Sequence, residues 1–365
     1  MACKLAITSM SLGRCYAGHS FTTKLDAAHK HGYKGIELFF EDLADVAEAM
    51  FGVGNSQSGS TSSLLATHIA AAHQIRRLCE ARDIEIICLQ PFSFYDGLRN
   101  RREHDERLEQ LKTWFTLARA LGTDIIQIPA NFLPAAQVTE DLDVIISDLR
   151  EVADMGLRLN PPIRFAYESL CWSTRVDTWE RCWEVVQRVD RPNFGMCLDT
   201  FNIAGRIYAD PAAASGTTDN AEKAVQESIA RLVAQVDVKK VFYVQVVDAE
   251  RLSEPLVPGH PFYNADQPSR MSWSRNCRLF YGEQSRGGYL PVKEIASAFF
   301  HGLGFEGWVS LELFNRRMND SGSEVPNELA WRGALSWRKL KADMKLKDEY
   351  KSEHQLMEDR VYASL

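Results

Sequence analysis

The chain has 365 residues, 45% of them hydrophobic and 25% charged, enough apolar material for a large buried core. A formal net charge of -7 argues against a surface built to collect phosphates, so nucleic acid is not an expected partner. No charged-then-apolar leader opens the sequence and no apolar run approaches the roughly 20 residues that span a bilayer, so a cytoplasmic protein without membrane contact is expected.

In chain order, short apolar runs rich in Val, Ile and aromatics recur at Lys4 to Met10, Gly35 to Phe40, Ile84 to Gln90, Asp124 to Ala130, Ile163 to Glu168, Phe194 to Asp199, Val241 to Val247 and Trp308 to Leu313. Each has strand length, and helical patterns lie between them. In Glu103 to Leu121, for example, Leu108, Leu111, Phe115, Ala118 and Leu121 recur at three- and four-residue steps. Eight such repeats predict successive βα units and a parallel sheet closed as a TIM-type (β/α)8 barrel, a single α/β domain. Gly32, Gly122, Gly156 and Gly304 each follow a helical pattern and are expected as left-handed C-caps. An open doubly wound sheet would announce a phosphate loop after an early strand. The string Gly302-Leu-Gly304-Phe-Glu-Gly307 matches GxGxxG by letter, but it follows a helix and precedes a strand, the wrong order for holding a pyrophosphate.

Three stretches interrupt the rhythm and read as loops: Gly52 to Ser63, Asp210 to Asn220, and the long Asp248 to Gly288. The first two have the composition of mobile surface insertions, and the third, aromatic and Arg-bearing, that of a loop folded over a site. The barrel is assigned to residues 1–320. A closing helix over Asn327 to Tyr350, running into a charged tail, is assigned to 321–365. The eight cysteines form no CxxC pair, and several sit in apolar runs, as buried free thiols do.

A barrel of this type works at the C-terminal ends of its strands. There the fifth strand ends in Glu168, the sixth in Asp199, the seventh carries Gln245 and the eighth Glu312, with Gln245 and Glu312 flanked by apolar residues. Buried carboxylates are costly unless paired or metal-bound, so this set points to one divalent cation, and oxygen donors favour Mg2+ or Mn2+, with Co2+ as an alternative. The competing reading pairs these acids with Arg or Lys from facing loops. Glu37 and Gln90, at the exits of strands two and three, either line the pocket or sit satisfied beneath it. His29, His31, His68, His73 and His301 lie in or beside helical patterns without HExxH spacing, which argues against zinc. Trp172 and Trp273 fall beside the site segments.

On these residues the chain resembles the xylose-isomerase-like barrel superfamily, and within it the 3-dehydroshikimate dehydratases. The segments that carry the likeness are Gly-Tyr-Lys-Gly-Ile-Glu-Leu-Phe (32–39), Leu-Gln-Pro-Phe (89–92), Leu-Gly-Thr-Asp (121–124), Tyr-Glu-Ser-Leu-Cys-Trp (167–172), Leu-Asp-Thr-Phe-Asn (198–202), Val-Gln-Val-Val-Asp-Ala (244–249), Trp-Ser-Arg-Asn-Cys-Arg (273–278) and Leu-Glu-Leu-Phe-Asn (311–315), ordered along nearly the whole barrel. The resemblance implies dehydration of 3-dehydroshikimate to protocatechuate in quinate and shikimate catabolism, through a metal-stabilised enolate, with Glu168, Asp199, Gln245 and Glu312 as metal ligands. It further implies that Ser274 and Arg278 hold the substrate carboxylate, a role suited to a guanidinium fork. The chain departs from the pattern at Asn202, where His is expected. Asn cannot serve as a base, which leaves another group or a metal-bound water for that task and a polar contact for Asn202. A sugar or inositol isomerase or epimerase is the alternative enzyme on this barrel, and a non-catalytic binding barrel the alternative outside enzymes. A small molecule is the expected partner, and self-association into a homo-oligomer stays open.

Overall fold

The computed structural model describes residues 2–52 and 61–348. Eight parallel strands form the barrel: β1 (Ala2–Thr8), β2 (Gly35–Phe39), β3 (Glu85–Gln90), β4 (Ile125–Pro129), β5 (Arg164–Glu168), β6 (Phe194–Asp199), β7 (Val241–Gln245) and β8 (Gly307–Leu311). Each pairs with the next, and β8 pairs back onto β1 from Cys3 opposite Gly307 to Ile7 opposite Leu311, so the barrel closes. All eight fall where the apolar runs predict strands. A strand covered by helices outside and by packed side chains inside is apolar on both faces, which is why the runs are nearly continuous rather than alternating. Ala6, Cys88, Ala166, Cys197 and Tyr243 fill the barrel interior.

The helices lie outside. Arg101–Leu121 starts on Asn100, whose side chain accepts the Arg102 amide at 3.1 Å, and stops at Gly122 with φ 81°. It buries Leu111, Phe115, Ala118 and Leu121 against the sheet. Gly32 and Gly304 also take positive φ, as expected. Gly156 does not: it sits inside the helix Leu142–Leu157, which is capped by Arg158. Its missing side chain serves packing instead, since a Cβ there would stand 2.6 Å from the Ile163 carbonyl oxygen.

Of the predicted loop Gly52 to Ser63, residues 53–60 lie outside the described residues, and Thr61 already opens the helix Thr61–Glu80. The Asp210 to Asn220 stretch is a tied turn, with Ala209 bridged to Thr217 and the Gly216 carbonyl accepting the Tyr289 hydroxyl at 2.8 Å. Within Asp248 to Gly288, composition hid a helix, Ser269–Cys277, whose polar and Arg-rich sequence gives no amphipathic stripe. It leads into a short antiparallel ribbon of Asp248–Ala249 with Arg278–Leu279. After β8, the helix Val325–Met344 packs beside Phe21–Lys30, and Lys347–Asp348 pairs with Ala2–Cys3 of β1. Among the described residues no helix is long and apolar enough to cross a membrane.

Candidate metal centre at the strand exits

Every barrel strand carries a buried polar side chain at, close to or just beyond its C-terminal end: Thr8, Glu37, Gln90, Gln127, Glu168, Asp199, Gln245 and Glu312. The register sets two neighbouring pairs side by side, Thr8 opposite Glu37 and Asp199 opposite Gln245. Register shifts between Ile36 and Glu37 and between Met196 and Cys197 re-aim the strands just below this ring.

Glu168, Asp199 and Glu312 each offer a carboxylate oxygen, and these oxygens lie within 4.8 Å of one another. Burial raises the pKa of all three. For Glu168 the negative charges of Glu312 and Asp199 add to the effect, whereas for Asp199 and Glu312 the Arg278 guanidinium opposes it, leaving Glu312 at about 8. Three crowded carboxylates with one guanidinium are short of positive charge.

The amides around them are held in fixed directions. Gln245 donates from Nε2 to Glu37 Oε1 at 3.1 Å and Oε2 at 3.0 Å, while its Oε1 is buried without a hydrogen-bond partner. Glu37 also accepts from Thr8 Oγ1 at 3.1 Å and Gln90 Nε2 at 2.8 Å, so it is a satisfied carboxylate among neutral donors, with a pKa raised by burial. Gln90 lines the open cavity and Glu37 lies beneath it. Asn202 bridges two of the acids, donating from Nδ2 to Glu168 Oε1 and Asp199 Oδ2, each at 2.8 Å, and accepting the Cys171 amide at 3.1 Å. Gln127, which sequence reasoning missed, donates to Glu168 Oε2 and leaves its own Oε1 unpartnered. The signal was available, since a lone Gln in Ile-Ile-Gln-Ile-Pro stands out as Gln245 does.

This donor set fits a hard divalent cation. It consists of oxygens only, with too few protein cations for its carboxylates and an unpartnered amide oxygen on the adjacent strand. Glu168, Asp199 and Glu312, with Gln245 beside them, are the residues able to hold it.

Arg278, in the cavity wall with Ser274, also meets acids of the protein itself. Its Nη1 donates to Asp199 Oδ2 at 2.9 Å and Glu312 Oε2 at 3.1 Å, and its Nε to Ser274 Oγ at 3.1 Å. The guanidinium lies 4.1 Å from the Phe201 ring centroid and 5.0 Å from that of Phe314, which fixes it against the acids. Both competing readings of the acids therefore hold in part: two of them have an Arg partner, and the set remains under-neutralised.

Above the ring opens a cavity of about 280 Å³. Its walls include Phe39, Phe94, Phe132, Trp172 and Phe314, and its polar rim Ser93, Ser274, Arg275 and Arg278. Phe94 reaches it from a left-handed backbone, φ 60°, a strained conformation for a bulky residue, and packs on Phe132 with ring centroids 4.6 Å apart. Trp273 is not in the wall; it is fully buried and donates to the Glu250 carbonyl at 2.9 Å.

The family model described as Xylose isomerase-like TIM barrel matches residues 25–341. A 3-dehydroshikimate dehydratase of Neurospora crassa is 67% identical over 346 residues, 95% of this chain and 96% of that one. A 3-dehydroshikimate dehydratase of Pseudomonas aeruginosa is 28% identical over 80% of this chain, which spans only 36% of that longer protein. Among solved structures, a xylose isomerase-like TIM barrel/4-hydroxyphenylpyruvate dioxygenase fusion protein superposes with a TM-score of 0.68 at 23% identity, over 94% of this chain and 44% of that one.

Proposed function

The chain belongs to the xylose isomerase-like TIM barrel family, and from that premise and its likeness to 3-dehydroshikimate dehydratases we propose that it is a lyase removing water from 3-dehydroshikimate to give protocatechuate. The observation that carries the reading beyond likeness is the meeting of the Glu168, Asp199 and Glu312 oxygens within 4.8 Å beneath a cavity of substrate size.

Glu168, Asp199, Gln245 and Glu312 would hold one divalent ion, Mg2+ or Mn2+, which supplies Lewis acidity for the ring carbonyl as a neighbouring C–H bond loses its proton. Asn202 and Gln127 hold the acid side chains in place by donating to them, and Glu37 holds Gln245. Arg278 braces Asp199 and Glu312 and, with Ser274, forms the wall toward which the substrate carboxylate is directed. Phe94, Phe132 and Trp172 cover the ring and keep water from it. Loss of the ring hydroxyl followed by tautomerisation gives the aromatic product, whose stability drives the step forward. Asn202 carries no titratable group, so it acts as a positioning residue and not as the base. We place the enzyme in the cytoplasm, a reducing compartment suited to its eight free cysteines. The test is incubation of purified protein with 3-dehydroshikimate while catechol absorption is followed in the ultraviolet. Protocatechuate should accumulate, and its absence with every divalent metal tried would reject the reading.

A further inference from the structure

Phe94 faces the space above the metal-site acids from a left-handed backbone, φ 60°, a conformation that a bulky residue keeps only where its surroundings impose it. On its outer side the ring borders a second cavity of about 330 Å³, lined also by Leu98, Arg107 and Leu133. Space on that side leaves the ring room to turn away from the site. Its inward placement is therefore imposed by the backbone and by the Phe132 ring on which it packs.

That backbone is gripped by a residue outside the barrel. Asp148 projects, buried, from the helix Leu142–Leu157. Its Oδ2 accepts the Gly97 amide at 2.9 Å and Arg101 Nη1 at 3.1 Å. Its Oδ1 accepts Arg101 Nη2 at 2.8 Å and lies 3.3 Å from His104 Nε2, and its carbonyl accepts the Tyr95 hydroxyl at 2.8 Å. His104 Nε2 lies 3.1 Å from the same hydroxyl, which closes the network. Gly97 takes φ 69°, and a Cβ there would stand 2.8 Å from Ile145 Cγ1 of the same helix, so the chain is pressed onto the helix where the carboxylate holds it. Burial pushes the Asp148 pKa up, yet the hydrogen bonds from His104 and Arg101 bring it below the ordinary value, so the clamp keeps its charge.

We propose that Asp148 is a positioning residue for the reaction: through Tyr95, Gly97 and Arg101 it holds Phe94 in its strained inward conformation, where the ring covers the substrate. The inference rests on the dehydratase reading for what Phe94 covers, and extends it to a side chain of the outer helical layer.

The test uses the metal-loaded full chain as wild type, Asp148→Asn and Tyr95→Phe, each alone and combined with Phe94→Ala. Asparagine keeps the shape of Asp148 but sets a donor against Gly97, Arg101 or His104. Tyr95→Phe removes one bond of the network and keeps the carboxylate, so it carries the same comparison if Asp148→Asn does not fold. KM for 3-dehydroshikimate and the calorimetric Kd for protocatechuate should rise about 3- to 10-fold in Phe94→Ala and Asp148→Asn, as expected for one lost ring-on-ring contact, and about 2- to 5-fold in Tyr95→Phe. On top of Phe94→Ala, neither clamp variant should change them by more than about 1.5-fold, whereas its lowering of the urea midpoint should persist. Equal losses of affinity with and without Phe94, or unchanged KM and Kd in the clamp variants, would overturn the proposal. Failure of the dehydratase reading would show separately, as a wild type without turnover. Hydrogen exchange of the 91–100 amides, which needs no substrate, then decides the clamp: it should quicken about tenfold or more in the clamp variants, and unchanged exchange would overturn it.

Discussion

Gln245 donates from its single amide nitrogen to both carboxylate oxygens of Glu37, at 3.1 and 3.0 Å, and this turns Gln245 Oε1 away from Glu37, where it has no protein partner. A buried acceptor left without a hydrogen bond is costly unless something else occupies it. Glu37→Gln would set an amide nitrogen against Gln245 or Gln90 and force one of them to turn over. The expected result is a folded protein whose Mn2+ affinity, read by electron paramagnetic resonance titration, falls about 10- to 100-fold. Unchanged affinity would remove Glu37 from the support of the site.

Glu312→Gln should remove most activity without harming the fold. The carboxylate is buried, its pKa is pushed to about 8, and Arg278 keeps Asp199 as a partner when it is gone. Loss of one metal ligand is expected to lower kcat by about 10² or more, while the metal-free melting temperature at neutral pH stays level, because a carboxyl with that pKa is already largely protonated there and the amide keeps its shape. Wild-type turnover in this variant would refute its assignment as a ligand.

These two residues also show how far the sequence could be read. Glu312 and Gln245 were legible because a polar residue amid apolar strand neighbours has to be satisfied somewhere, and strand ends in a barrel face one mouth. Glu37 was visible as a residue but not in its role, because neighbouring strands decide whether a strand-end carboxylate opens into the cavity or sits under it. Gln127 and Thr8 carry the same signal more weakly, as a polar residue in an apolar strand, one being neutral and the other small. The helix Ser269–Cys277 was hidden because its contacts come from both sides and erase the one-sided stripe. For Arg278 the resemblance implies contact with the substrate carboxylate, and the fold adds what no sequence pattern carries, that Asp199 and Glu312 are protein anions it also meets.

Asp96 lies outside the metal centre and gives a pH test of stability. Its carboxyl is buried, accepts the Tyr167 hydroxyl at 3.0 Å, leaves Oδ1 unpartnered, and has a pKa raised to about 7, chiefly by burial. The unfolded value is near 3.9. Between roughly pH 4 and 7 the folded chain thus holds a proton that the unfolded chain has lost, and stability falls as pH rises through that window. The loss amounts to something on the order of 4 kcal/mol above it. Urea midpoints at pH 5 and pH 8 should differ less for Asp96→Asn than for wild type. Equal differences would mean that Asp96 stays ionised in the folded chain.

The central claim is that one ion held by oxygens of Glu168, Asp199, Gln245 and Glu312 is required for dehydration. The direct measurement is to strip the protein with chelator, add Mg2+ or Mn2+ back in known amounts, and record bound metal and protocatechuate formation together. The account predicts no turnover in the stripped protein and activity rising in step with occupancy to one ion per chain. Full activity in protein verified to be metal-free would contradict it.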